Sequence, residues 1–216
     1  MGRTRRGLVA PVLLLVVCAV LVRLAVREAG SGSDSFHRLR ALSIGLLVLW
    51  LLLEAPLSWR LSGDDQRGED RRTVLLNASS RALALVAALA LPSIWTRWNC
   101  AQAGGLLLFV AGFSLRLTAI RQLGRFYSHK VRRIDDHQVI DRGPYRLVRH
   151  PAYLGVIAAH IGFAVVFLNP VSLPAVLLLV VPAFVWRIRV EEPVLMRIPG
   201  YPEYARHHAR LIPGLW

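Results

Sequence analysis

Hydrophobic residues in this chain gather into long uninterrupted runs rather than into an alternating or amphipathic pattern. Stretches free of Asp, Glu, Lys and Arg span Gly7 to Val22, Ala41 to Leu53, Ala82 to Thr96, Trp98 to Leu115 and Pro151 to Trp186. Runs of this kind predict helices that are apolar all round, as in a bilayer. The last run holds 36 residues, which as one helix would reach roughly 54 Å against a hydrocarbon core of about 30 Å. It therefore has to fold back. Asn169-Pro170 near its middle supplies the turn, because proline lacks a backbone donor and restricts the residue before it. The pattern predicts an all-α, polytopic integral membrane protein with about five to six transmembrane helices, ending in a helical hairpin and a polar tail.

Composition agrees: 55% of the 216 residues are hydrophobic and the mean hydropathy is +0.46, more apolar than a soluble domain tolerates. The formal charge of +14 raises nucleic-acid binding as a question, since clustered basic residues neutralise phosphates. The distribution of the charges answers it. With six spans, the N-terminus, Trp59 to Ser80, Arg121 to His150 and the C-terminal tail lie on one side and hold 20 of the 27 Lys and Arg; the opposite loops hold Arg27, Arg38, Arg40 and Arg97. This is the positive-inside asymmetry. It places both termini in the cytoplasm and leaves no role for nucleic acid. Arginine richness and small size suggest a bacterial plasma membrane.

Some features are read as plain. Arg3, Arg5 and Arg6 ahead of an apolar run fit the opening of a signal peptide, but no small-x-small cleavage site follows, so a retained first helix is expected. Arg23, Arg81 and Arg116 lie near span ends and are expected to snorkel to the headgroups, as is Glu54. Ser62 to Arg72 reads as a solvated inner loop. Asp64 and Asp65 lack calcium-loop spacing, Cys18 and Cys100 do not form a disulfide framework, and His207-His208 reads as solvated, so no metal is expected. Gly104-Gly105 and Gly112 are expected to permit close helix packing.

Two polar segments flank the terminal hairpin. The first contains Leu-Gly-Arg-Phe-Tyr-Ser from Leu123 and then Gly-Pro-Tyr-Arg-Leu-Val-Arg-His-Pro-Ala-Tyr-Leu-Gly from Gly143 to Gly155. Gly143-Pro144 marks a turn, and Pro151 suits the first turn of a helix. The second runs from Arg187, Arg189, Glu191 and Glu192 through Gly200, Tyr201, Tyr204 and Arg210. Because the apolar run between them doubles back, the two segments must meet. His150, Tyr153, Arg187 and Glu191 are thereby brought into one neighbourhood. Arg187 and Glu191 are four apart and can form an intrahelical pair worth only about 0.3 to 0.5 kcal/mol, although charges at the membrane boundary are costly unless a ligand or a network uses them.

Gly-Pro-Tyr-x-x-x-Arg-His-Pro-x-Tyr-x-Gly, followed after a hydrophobic hairpin by Arg-x-x-x-Glu-Glu and Gly-Tyr-x-x-Tyr, resembles the isoprenylcysteine carboxyl methyltransferase family and its phospholipid methyltransferase relatives. The resemblance covers about residues 121 to 216, a catalytic region, and leaves 1 to 120 as N-terminal transmembrane helices. It implies S-adenosylmethionine as cofactor and a lipophilic or prenylated acceptor entering from the bilayer among membrane lipids. It further implies Arg187 and Glu191 at the reaction centre, with Tyr145, Arg149, His150, Tyr153, Gly155, Glu192 and Tyr204 around the cofactor. No Gly-x-Gly-x-Gly loop follows a strand, so a Rossmann-type site is not the expected one.

An ionised carboxylate acceptor needs no strong base, so alignment and desolvation suffice. An amine or thiol acceptor must lose a proton, and Glu191, His150 or water would then receive it. Carboxyl methylation of a prenylated cysteine is thus the leading expectation, with phospholipid N-methylation or small-thiol S-methylation beside it. A transporter or membrane scaffold would instead place paired polar groups at the midplane, often in repeated halves.

Overall fold

The computed structural model describes residues 3–32, 34–61, 68–124, 139–214 and 216. Among these it is helical, with one isolated bridge and no named strand. The first four apolar runs fall mainly in α1 (Arg3–Ser31), α2 (Ser35–Leu61), α3 (Gly68–Ala90) and α4 (Cys100–Leu123), and the 36-residue run divides between α5 (Pro151–Val166) and α6 (Ser172–Leu195), the last containing a π-helical turn at Val176–Val180. A short α7 (Tyr201–His207) follows. Stretches in α2, α3, α4 and α6 are each long and apolar enough to cross a membrane, and α5 is a shorter apolar helix. Between Val12 and Val22 the outward side chains of α1 are apolar, Leu13 and Leu15 among them, as lipid contact requires.

The third run is displaced from its expectation. Its helix begins earlier and stops at Ala90, because Pro92 disfavours the helical conformation at Leu91 and cannot donate to the preceding turn. Of the stretch Ser62 to Arg72 expected as an inner loop, residues 62–67 lie outside the described residues and Gly68 to Arg72 instead form the first turn of α3; Arg125, Phe126, Tyr127 and Ser128 of the first polar segment also lie outside the described residues.

α4 and α5 form the closest pair. A Cβ on Gly112 would stand 2.6 Å from the Gly155 carbonyl oxygen, and one on Gly105 would stand 2.9 Å from that of Gly162. Both contacts lie below any real Cβ distance, so the two backbones touch only because these positions are glycine. The hairpin turns at the expected dipeptide. Buried Asn169 accepts from the Val171 and Ser172 amides through Oδ1 at 3.0 and 2.9 Å, and its Nδ2 donates to the Ala87 carbonyl at 2.9 Å. Trp95 Nε1 donates to Val165 O at 2.9 Å, tying the α3–α4 connection to the same tip. Inside the bundle, the buried rings of Trp50, Phe109, Phe163 and Phe167 meet in tilted and edge-to-face contacts, one after the next.

Snorkelling does not describe three of the charged residues. Glu54 on α2 accepts from both terminal nitrogens of Arg81 at 3.3 Å and also from Arg116 NH2. Arg116, 2% exposed, additionally donates to Ala152 O at 3.4 Å. Glu54 faces inward between two helices carrying arginines, so pairing inside the bundle replaces a reach to the headgroups. Arg23, in contrast, is exposed.

Candidate functional site

The end of the bundle opposite the Asn169 turn is where the polar segments converge. Gly143, at φ 57°, opens a single 3-10 turn, Gly143–Arg146; a Cβ there would strike Gln122. Pro151 starts α5 with His150 as the residue before it. The C-terminal tail returns alongside: Val148 pairs with Ala209 in a parallel bridge, Arg149 N donates to Ala209 O at 2.8 Å and His150 N to Arg210 O at 3.0 Å. Side chains from α5, α6, α7 and the tail are thereby fixed around two carboxylates.

Glu192, 5% exposed, is held on several sides. Arg149 NH1 donates to it at 2.5 Å and Tyr201 OH at 3.1 Å, His150 Nε2 lies 2.9 Å away, and Arg210 Nε lies at 3.5 Å. Glu191 faces a different group. Tyr153 OH donates to its Oε1 at 2.5 Å and Arg187 Nε at 2.7 Å, while His150 Nδ1 is 4.0 Å from its Oε2. His150 therefore stands between the two carboxylates, with its ring parallel to that of Tyr153 at a centroid separation of 5.6 Å. Arg187, 3% exposed, also donates from NH1 to Thr73 Oγ1 at 2.6 Å. A cleft of about 290 Å³ opens beside Glu192, lined by Arg189, Pro193, Met196 and Arg210.

The tyrosines of the tail are donors. Burial, and then the neighbouring Glu192 charge, raise the Tyr201 hydroxyl well above the ordinary tyrosine range; burial, and then Asp141, raise that of Tyr204. Both stay protonated at neutral pH. Tyr204 uses its proton on Tyr145 O at 2.6 Å, which clamps α7 to the 3-10 turn.

Of the nine residues singled out from the sequence, seven come together at this end of the bundle: Arg149, His150, Tyr153, Arg187, Glu191, Glu192 and Tyr204, the last through its clamp. The other two point elsewhere. Tyr145 sends its hydroxyl to Ala119 O on α4 at 3.4 Å, and Gly155 meets the backbone of α4 at Gly112. Thr73 and Arg210 were not singled out as site residues, and Tyr201 entered only as part of a motif. Arg210 and Tyr201 had a signal in the polar tail, whereas Thr73 had none, being 114 positions from its partner.

The arrangement is an anionic pair flanked by guanidinium groups, partly desolvated at a membrane boundary. Such a set can hold a cation bearing its own carboxylate and can orient a second carboxylate. Among the described residues no group of three His, Cys, Asp or Glu has the geometry to hold a metal.

The family model described as the isoprenylcysteine carboxyl methyltransferase (ICMT) family matches residues 105–197. Protein-S-isoprenylcysteine O-methyltransferase B of Arabidopsis thaliana is 38% identical over 106 residues, 47% of this chain and 54% of that one. The A form of the same plant is 36% identical over 113 residues, 50% of this chain and 57% of that one. The Saccharomyces cerevisiae protein-S-isoprenylcysteine O-methyltransferase is 37% identical over 104 residues, 46% and 44% of the two chains. This chain thus spans about half the length of these curated relatives. The solved structure of the eukaryotic intramembrane Ras methyltransferase ICMT superimposes with a TM-score of 0.53 at 19% identity, covering 99% of this chain and 87% of that one, which establishes a shared fold. The residues that match the family model thus run from α4 through the hairpin to the end of α6, and the chain as a whole has the polytopic helical membrane fold of that solved structure.

Proposed function

We propose that this chain is an S-adenosylmethionine-dependent methyltransferase that esterifies the carboxylate of a prenylated cysteine, or a comparable isoprenoid carboxylate, at the membrane. The observation that carries this reading is the placement of Arg187 and Glu191, bonded to each other and to Tyr153, beside the carboxylate held by His150 and Arg149. The matched relatives are named for the same reaction class.

The residues fit the cofactor by charge and by shape of bonding. Its sulfonium and ammonium are cations and its methionyl carboxylate is an anion, and the site offers two carboxylates with arginines at their rims. Arg149 Nε is buried without a hydrogen-bond partner, a donor suited to such a carboxylate. Glu192, Arg149, His150, Tyr153 and Tyr204 would hold the cofactor, with Gly155 and Tyr145 shaping the site from behind. When bound, S-adenosylmethionine supplies an electrophilic methyl group on a positive sulfur. Arg187 would receive the acceptor carboxylate and turn one oxygen toward that methyl, while Glu191 would keep Arg187 and Tyr153 in register and offset the positive charge nearby. No proton has to move, because the acceptor is already ionised near pH 7.

The basic asymmetry of the loops favours an orientation with this end of the bundle on the cytoplasmic face and both termini beside it. The matched relatives named here come from plants and yeast, so the assignment to a bacterial plasma membrane rests on arginine richness and size. Cysteine accessibility at engineered loop positions in sealed vesicles reads the orientation directly.

The decisive assay offers purified protein S-adenosylmethionine with a labelled methyl group, and in parallel an S-farnesyl cysteine analogue, phosphatidylethanolamine and small thiols. The expected product is base-labile, volatile label from the first acceptor. Base-stable label in the phospholipid or the thiol overturns the choice of acceptor, and failure to bind the cofactor overturns the class.

A further inference from the structure

The side chain that supports Arg187 from behind belongs to α3, outside residues 105–197 that match the family model. Thr73 is 1% exposed, and its Oγ1 accepts from Arg187 NH1 at 2.6 Å. A guanidinium bonded at Nε to Glu191 can still pivot about that bond. A second bond at NH1, to a different helix, sets the plane of the fork. The chemistry of the acceptor matters as much as its position. A hydroxyl oxygen is neutral, so Thr73 itself brings no negative charge to the guanidinium it holds. A carboxylate at the same place would compete with the substrate for Arg187.

We propose that Thr73 is a positioning residue for the reaction, orienting Arg187 so that the acceptor carboxylate is received in one geometry. This makes α3 a working part of the site rather than a scaffold helix. The inference rests on the reading that Arg187 binds the acceptor, and its consequences separate from that reading. Loss of the hydroxyl should impair handling of the acceptor while leaving the cofactor alone, because Glu192 takes its bonds from Arg149, His150 and Tyr201.

The test uses the full chain in detergent or lipid, with labelled S-adenosylmethionine and an S-farnesyl cysteine analogue. Thr73→Val is expected to raise the KM for the analogue about tenfold, the scale of one hydrogen bond to a charged group. The KM for S-adenosylmethionine should stay at the wild-type value, and Thr73→Ser should restore the acceptor KM. Should Thr73→Val not fold, Thr73→Ala serves in the same comparison. An unchanged acceptor KM in the Val or Ala variant overturns the proposal, and so does a Ser variant as defective as Val, which would mark a packing role. A parallel rise in both KM values overturns it as well. Arg187→Ala separates the two layers: full turnover in that variant removes Arg187 from the reaction, whereas lost turnover beside a normal Thr73→Val leaves the methyl-transfer reading standing and removes Thr73 alone.

Discussion

Glu191 and Glu192 are adjacent in the chain yet do different work, because successive residues on a helix point about 100° apart. Glu191 turns to Arg187 and Tyr153; Glu192 turns to Arg149, His150 and Tyr201. Glu191→Gln keeps the shape but removes the charge that aligns Arg187, and turnover with the prenylcysteine analogue is expected to fall about a hundredfold or more, with membrane insertion unchanged. Near-normal turnover would take Glu191 out of the reaction. The tail tyrosines give a pH signature. Their hydroxyls titrate higher in the folded chain than the ordinary value near 10. Stability from them is therefore complete below that value and declines as pH rises beyond it, because the unfolded chain then releases protons that the folded one keeps. Replacing Tyr201 and Tyr204 with Phe should flatten the alkaline limb of a thermal-midpoint profile; an unchanged limb would assign it to other groups. At this scale the sequence disclosed His150, Tyr153, Arg187 and Glu191 as neighbours, since a 36-residue apolar run leaves no other geometry. It could not disclose Thr73, because nothing in local spacing says which face of a distant helix an arginine will meet.

The α4–α5 pair is held by backbone contact at Gly105, Gly112, Gly155 and Gly162. Gly112→Leu should be among the most damaging single changes outside the polar end, because α5 carries His150 and Tyr153 at its start and would be pushed away bodily. Gly112→Ala should cost about 1–3 kcal/mol as an overpacking change, read as a lowered thermal midpoint in detergent. A midpoint equal to wild type would mean that the two helices separate without penalty. Glycine in an apolar run announces close packing but not its partner, so the pairing with Gly155 became visible only in the fold. The hairpin is the reverse case. Asn169-Pro170 marked the turn, and the buried bonds of Asn169 to Ala87, Val171 and Ser172 show why asparagine serves: one side chain both caps α6 and fastens the turn to α3.

Over the whole molecule, the site rests on a second charged centre deeper in the bundle. Glu54 joins α2 to α3 through Arg81 and to α4 through Arg116, which itself reaches the first turn of α5 at Ala152. Glu54→Gln leaves the buried Arg116 and the half-buried Arg81 facing a neutral amide and is expected to destabilise by about 3–5 kcal/mol, measured as loss of monodisperse protein on heating. A small change would show that water reaches these arginines. Span ends suggested headgroup contact for all three residues, because the sequence records how far a charge lies from an apolar run but not which helices close around it. A different consequence follows from the bond of Arg149 N to Ala209 O and of His150 N to Arg210 O. These two bonds strap the backbone ahead of α5 to a segment beyond α7, so the hairpin alone does not hold Arg149 and His150 against Glu192. Loosening the strap would let both side chains drift from that carboxylate while every helix stays in place.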